Sequence, residues 1–253
     1  MYYYIMEPPR RGLSSWQEKI KTILGELGIA GEMVSPSSAR TIEELTTLGI
    51  VKGYSTIVAV GSEKVANEVA SAIIKHKETE NSDSVLGFIP DDYESPLAEL
   101  IGVKDFKEAC NALKFRKLET ADTILIEPNQ YILTELKIEE SKPFKIDMAF
   151  DSFKLNFPAN RIVIKPGLDI EINDLSWQNQ PVVGFFNWLV GKKEKDIYSS
   201  FFTAESLKLG INSNPQEVKV GGVTINKTPI VLKNMPKALK IIVTRDTIGN
   251  QSK

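Results

Sequence analysis

The chain has 253 residues, of which 42% are hydrophobic and 25% are charged, and its formal net charge is −2. This length suits one large domain or two ordinary ones, and the composition is typical of a globular protein in water. The small net charge argues against a nucleic-acid partner. No apolar run reaches the ~20 residues of a membrane span and the amino terminus does not resemble a signal peptide, so we expect a cytoplasmic protein without a transmembrane segment.

Cysteine and histidine each occur once, which limits the available chemistry. Cys110 excludes an intrachain disulfide and a cysteine metal cluster, and its place on the apolar side of a predicted helix indicates a small buried hydrophobe. His76 lies near a predicted helix end among charged residues, which predicts a solvated or dipole-facing position. We therefore set aside mechanisms that pair serine, cysteine or a metal with histidine.

The first half of the chain alternates predicted strands and helices. Apolar runs and short β-branched segments predict strands at 2–6, "GEMVS", 56–60 and "SVLGFI". Apolar residues at helical spacing predict helices that begin at Ser15, at Thr41 and at about Lys64, followed by helices around 97–101 and 105–113. Thr41 and Glu44 have the spacing of a capping box. Such alternation predicts a parallel sheet with flanking helices.

The second half changes to short segments of alternating polarity. "YILTELKIEE", "FKIDMAF", "RIVIK" and "LDIEIND" are separated by turn residues, which is the pattern of antiparallel strands with one solvated face. We therefore predict an α/β nucleotide-binding-like domain over 1–127 and a mostly antiparallel, sandwich-like β domain over 128–253, whose final strand could return to the first domain. "PVVGFFNWLVGKK" predicts a buried helix, with a helix resting on a membrane surface as the alternative.

The segment "TIVAVGSEKVANEVASAII", residues 56–74, predicts a buried strand that passes through Gly61 into a helix. Many folds bind phosphate at such a place, because the helix N-terminus offers free backbone N–H groups. Phosphate loops are usually rich in glycine, since side chains keep the phosphate at a distance. Here the turn is Gly61-Ser62-Glu63-Lys64, with one glycine and one carboxylate.

Four segments together resemble the diacylglycerol kinase catalytic-domain family in its bacterial lipid kinase form. That family has a strand into Asn-Pro-x-x-Gly, where this chain has "IMEPPRRG", and a Gly-Gly-Asp-Gly-Thr loop followed by Asn-Glu and valine, where it has "VAVGSEKVANEV". Gly61, Asn67 and Glu68 match in register. "LGFIPDDYESPLAELIGV" and "VGGVTINKTPIVLKNMPKALKIIV" are similar to two later family segments. The resemblance implies the NAD kinase/diacylglycerol kinase-like fold, an active site between two domains, and Mg-dependent phosphoryl transfer from ATP to a lipid hydroxyl.

The departures from the family pattern fall on the positions that carry its chemistry. Ser62, Glu63 and Lys64 replace glycine and aspartate in the first loop, and Asp91, Asp92 and Tyr93 begin the segment that replaces the second. Gly221 and Val223 stand where an Asp-Gly-Glu motif has its carboxylates, and an earlier Asp-Gly has become Pro166-Gly167. One like-charge pair at about 4 Å costs about 4 kcal/mol at a surface-like effective dielectric, so an acidic loop opposes a triphosphate. We therefore predict a catalytically weak or inactive homologue.

Compensating roles are conceivable for the replaced residues. Glu63 could hold Mg²⁺ and Lys64 could contact a phosphate, while Asp91 or Asp92 could bind a divalent cation or act as a base. The structural alternative makes Glu63 and Lys64 a solvated first helical turn, and makes the acidic loop a polar turn capped by Ser95. In that case Asn67 and Glu68 serve helix packing alone.

The sequence leaves three functions open. The first is an inactive lipid-kinase homologue that binds a partner or acts as a scaffold. The second is an active ATP-dependent lipid or small-molecule kinase with a rebuilt phosphate site. The third is a lipid- or ligand-binding protein that uses the interdomain cleft. The expected partners are a lipid or a nucleotide, with at most transient membrane contact, and no protein partner is indicated.

Overall fold

A computed structural model of the chain describes residues 1–8, 14–80, 82–150, 153–174, 198–210 and 215–245. The helix predicted at "PVVGFFNWLVGKK" lies outside the described residues. The chain forms two compact units. The first consists of Met1–Thr123, Tyr131–Leu133 and Pro236–Lys253, and the second of Ile124–Gln130 and Thr134–Met235.

The predicted strands and helices of the first half are present in the predicted order, and the structure adds a strand at Lys117–Ile126 that is not among the predicted elements. The described helices all lie in the first half. These helices are α1 (Ser14–Glu26), α2 (Ile42–Val51), α3 (Glu63–Glu80), α4 (Pro96–Ile101) and α5 (Phe106–Phe115). The strands are β1 (Tyr2–Met6), β2 (Glu32–Val34), β3 (Thr56–Gly61), β4 (Val85–Pro90), β5 (Lys117–Ile126), β6 (Gln130–Ile132), β7 (Leu136–Phe150), β8 (Lys154–Lys165), β9 (Asp169–Asp174), β10 (Tyr198–Thr203), β11 (Ser206–Gly210), β12 (Glu217–Val220), β13 (Val223–Lys227) and β14 (Ile230–Val243).

The first unit is built on a parallel sheet. Its strands lie in the order β2-β1-β3-β4-β14, and each neighbouring pair is parallel. Every residue of β3 and β4 is buried, as the continuous apolar runs of a sheet covered on both faces require. The helix α2 begins with the predicted capping box, since the Glu44 N–H donates to Thr41 Oγ1 and the Thr41 N–H donates to Glu44 Oε2.

The second unit is antiparallel. Its strands lie in the order β10-β9-β8-β7-β11-β14, where β14 contributes its first part, and the hairpin β12-β13 pairs with β7 through β12. The predicted fold class is therefore confirmed for both halves: an α/β part with a parallel sheet and flanking helices, and a mostly antiparallel β part. No helix in the described part of the chain is long and apolar enough to cross a membrane.

One structural prediction on α3 is wrong. The sequence predicts a solvated or dipole-facing His76, but this side chain is buried, with 9% of its surface exposed. The helix continues to Glu80, so His76 lies about one turn from the helix end, and it is the solvated alternative that burial excludes. Its Nε2 atom lies 3.3 Å from Glu80 Oε2.

Candidate functional site

Three loops meet at the carboxyl edge of the parallel sheet. In the strand register Met6 lies beside Val60, and Gly61 lies beside Pro90. The residues that follow these strands are therefore neighbours although they are distant in sequence. The Glu7 N–H donates to the Val60 carbonyl at 2.8 Å, and the Asp91 N–H donates to the Gly61 carbonyl at 3.0 Å. These bonds hold Glu7 and Asp91 beside the end of β3, close to the start of α3.

The N-terminal end of α3 is occupied by a carboxylate of the chain itself. The Ser62 N–H donates to Glu7 Oε2 at 2.7 Å, directly before the helix begins at Glu63. A phosphate at this place would accept a hydrogen bond from a backbone N–H, and the positive end of the helix dipole favours any anion there. The Glu7 side chain also lies tight against the Gly61 backbone: a Cβ on Gly61 would be 2.6 Å from Glu7 Cβ and from Glu7 Oε2. Glu7 thus occupies the space beside the Gly61 backbone at the start of α3.

Glu7 is not among the candidate site residues that the sequence predicts. A signal was available, because Glu7 follows the first strand directly, and parallel pairing of that strand with 56–61 brings the residues after both strands together. What the pattern could not show is the direction of the side chain. A carboxylate after β1 can point to solvent as well as to the helix end.

The first helical turn departs from the expected solvated arrangement. Lys64 is exposed, as predicted, and its Nζ lies 3.8 Å from Glu68 Oε1. Glu63 is not solvated: only 7% of its surface is exposed. The reason is its position on the helix, since Glu63 lies on the same face of α3 as the buried residues Asn67 and Ala70.

Carboxylates dominate the electrostatics of this helix end. Burial raises the pKa of Glu68, the carboxylates of Glu7 and Glu43 raise it further, and the Lys64 ammonium opposes them. A phosphate brought to Ser62 would have to displace Glu7 and approach Glu68. Because like charges at about 4 Å repel by about 4 kcal/mol at a surface-like dielectric, the charge distribution opposes a second anion.

Asn67, which matches the family asparagine, is committed to internal hydrogen bonds. Its side chain is buried, Oδ1 accepts the Leu133 N–H at 2.8 Å, and Nδ2 donates to the Glu63 carbonyl at 3.0 Å. One turn on, Ser71 Oγ accepts the Tyr131 N–H at 3.2 Å. These polar side chains of α3 hold the segment Tyr131–Leu133 against the helix, which supports the helix-packing interpretation of Asn67.

The acidic second loop is a capped turn. Asp91 and Asp92 are exposed, and the Glu94 N–H donates to Asp92 Oδ1 at 2.9 Å. Ser95 is the N-cap of α4, with its Oγ accepting the Ala98 N–H, and Pro96 takes the first helical position. The predicted polar turn ahead of a helix is therefore confirmed.

Tyr93 in this loop is half-buried, and burial is the main cause that raises its pKa, ahead of Cys110, Asp105 and Asp91. The sequence leaves open a metal at Glu63, Asp91 or Asp92. In the part of the chain that the structure describes, no three His, Cys, Asp or Glu side chains form a group that could hold a metal ion.

The position of the family Asp-Gly-Glu motif is a hairpin turn in the second unit. Gly221 and Gly222 both have positive φ, 53° and 77°, and they join β12 to β13 as a two-residue loop between Val220 and Val223. This is the backbone that a primed hairpin turn requires. Val223 is 43% exposed and carries no ionisable group, so it offers no general base.

Cys110 is a buried structural residue, as predicted. Its side chain is 0% exposed, and burial raises the pKa of its thiol to about 12. Because the thiolate is the reactive form, native Cys110 should have about a thousandth of the reactivity of a free cysteine thiol at pH 8. We expect Ellman's reagent to leave the native protein unmodified over an hour and to titrate one thiol in 6 M guanidinium. Rapid modification of the native protein would contradict this burial.

Comparison with known proteins places this arrangement in a known fold. Three solved structures from Bacillus anthracis str. Sterne, one described as a diacylglycerol kinase and two as candidate diacylglycerol kinases, match with TM-scores of 0.70 to 0.71 and identities of 12 to 14%. Each match covers 96% of this chain and 97% of the other. No family model and no curated protein matches the sequence. The protein therefore has the fold of the diacylglycerol kinases.

Proposed function

We propose that the protein is a cytoplasmic, non-catalytic homologue of the diacylglycerol kinases that acts through binding and not through phosphoryl transfer. The observation that carries the proposal is the hydrogen bond from the Ser62 N–H to Glu7 Oε2, 2.7 Å long, at the start of α3. In this interpretation residues 1–127 are a nucleotide-binding-like domain that has exchanged its phosphate for an internal carboxylate.

The residues at this helix end do not fit MgATP. Phosphoryl transfer depends on positioning the phosphates and on neutralising the charge that develops on them. Here the Glu7 carboxylate accepts the Ser62 N–H at the start of the helix. Burial and the neighbouring Glu7 raise the pKa of Glu68. The carboxylates around this helix end therefore disfavour a further anion. Lys64 is the cation of this turn, and it is paired with Glu68. We derive no chemical step from ATP at this site.

Thermal unfolding with nucleotide tests the proposal. A ligand that binds only the native state at 100 times its Kd adds about 2.7 kcal/mol of stability, which is a shift of several degrees. We expect no shift in Tm with 5 mM MgATP relative to 5 mM Mg²⁺ alone, for the native sequence and for Lys64→Glu alike. Lipid phosphorylation should remain at the background rate.

The opposite result would revive the alternative of an active ATP-dependent lipid or small-molecule kinase. That result would be a saturable, nucleotide-dependent rise in Tm that is smaller in Lys64→Glu. A rise that appears only in Glu7→Ala would support the proposal, because it would show that the Glu7 side chain is what closes the helix end to nucleotide.

A further inference from the structure

The first unit contains a second candidate site, a cavity along the outer face of α5. Its volume is about 460 Å³, within the ~300–1,000 Å³ range of small-molecule pockets. Residues of α5 and of the segment before it line the cavity, together with Thr244 and Arg245, which follow β14. It shares no lining residue with the helix end at Ser62.

Two cations face this cavity. Lys104 and Arg245 both line it, and within the described ranges neither side chain has a carboxylate oxygen within 4.0 Å. The Arg245 guanidinium stacks on the Phe115 ring, with 3.8 Å between its central carbon and the ring centroid. Such stacking holds the planar fork of donors in a fixed orientation, which lowers the entropy lost when an anion binds.

The one carboxylate in the lining is engaged elsewhere. Glu108 Oε2 accepts the Lys104 N–H at 2.9 Å, and the Glu108 N–H donates to Asp105 Oδ1 at 2.8 Å. These bonds cap the start of α5, so Glu108 serves the helix end. The lining therefore contains two cationic side chains, Lys104 and Arg245, and one carboxylate, Glu108, whose Oε2 accepts a backbone N–H.

We propose that this cavity binds a small phosphate monoester with an apolar substituent. A phosphate monoester carries about −1.5 to −2 charge at pH 7, so it matches two cations better than a single carboxylate does. Arginine binds phosphate through two parallel N–H bonds, and the Asn111 amide adds a further donor in the same lining. Phe115, half exposed at 50%, supplies the apolar surface for the substituent. This inference is independent of the proposed function.

The test is a calorimetric titration of the full chain with phenyl phosphate, inorganic phosphate and phenol at constant ionic strength. We expect saturable 1:1 binding of phenyl phosphate, weaker binding of inorganic phosphate and no detectable binding of phenol. Arg245→Gln and Lys104→Gln should each lower the affinity for phenyl phosphate by about tenfold, which is the effect of losing one charge-assisted contact. Lys107→Gln, an exposed lysine of α5 outside the lining, should leave the affinity unchanged.

The outcomes of this titration distinguish a phosphate site in the cavity from the absence of one. Absent binding, or binding that Arg245→Gln and Lys104→Gln leave intact, would overturn the site, provided that circular dichroism shows both variants folded. Equal affinities for inorganic phosphate and phenyl phosphate would overturn the proposal that the cavity binds the organic substituent. An ATP-induced rise in Tm that disappears in Arg245→Gln would belong to this cavity, whereas one that persists in Arg245→Gln would count against the non-catalytic proposal.

Discussion

Replacing Gly61 by alanine is expected to lower the free energy of unfolding by about 3 kcal/mol, the sum of a strained backbone and an overpacked contact. Gly61 has φ +135°, a conformation that side-chain-bearing residues rarely adopt. The added Cβ would also lie 2.6 Å from both Cβ and Oε2 of Glu7. Since Glu7 is bonded through its backbone to Val60, it cannot move far without breaking the strand edge.

A second positive-φ glycine and a double variant separate the backbone strain from the Glu7 contact. Gly53 has φ +82°, but a Cβ there meets nothing within 4 Å, so Gly53→Ala should cost only the backbone strain, about 1 kcal/mol. Combining Glu7→Gly with Gly61→Ala should recover part of the loss, with a coupling energy of about 1 to 2 kcal/mol. Urea denaturation followed by circular dichroism measures the three single variants and the double variant. A coupling energy near zero between Glu7→Gly and Gly61→Ala would mean that Glu7 does not pack against Gly61.

The sequence is sufficient for those parts of the fold that depend on local pattern. Apolar runs at 56–60 and 85–89 are typical of strands buried on both faces, and the alternation with helices favours a parallel sheet. Thr41 and Ser95 cap helices through backbone groups three residues away, a relation that spacing alone encodes. The resemblance to the diacylglycerol kinases holds in the fold although identity to the matched structures is 12 to 14%.

The candidate site required information that spacing does not carry. Glu7 and Ser62 are 55 residues apart, and their bond depends on the register of β1 against β3 and on one side-chain direction. The burial of Glu63 and His76 likewise depends on what packs over α3. Charge and helix position make both appear solvated, and tertiary packing reverses that prediction.

The helix end at Ser62 is an anion-favouring position that a carboxylate of the chain itself occupies. The backbone N–H groups and dipole of α3 favour an anion regardless of sequence. The Glu7 carboxylate supplies such an anion from the chain itself, since its Oε2 accepts the Ser62 N–H at 2.7 Å. The strand-loop-helix can therefore persist in the absence of nucleotide.

Asn67→Ala is the second substitution with a large expected effect, about 3 kcal/mol of unfolding free energy. The substitution leaves the Leu133 N–H buried without its acceptor, which costs about 1 to 3 kcal/mol, and removes the bond to the Glu63 carbonyl as well. Glu68→Ala is the control: it changes the adjacent family position, where the side chain is 43% exposed, and should stay within about 0.5 kcal/mol.

Amide hydrogen exchange gives the sharper measurement, because the structural role of Asn67 has a specific reporter. Asn67→Ala should speed exchange of the Leu133 amide, whose only described acceptor is Asn67 Oδ1, and Glu68→Ala should not. If both variants were equally stable and Leu133 stayed protected, Asn67 would not be holding Tyr131–Leu133 to α3. Loss of protection confined to Asn67→Ala would show that Asn67 has a structural role in holding Tyr131–Leu133 to α3, independent of any nucleotide.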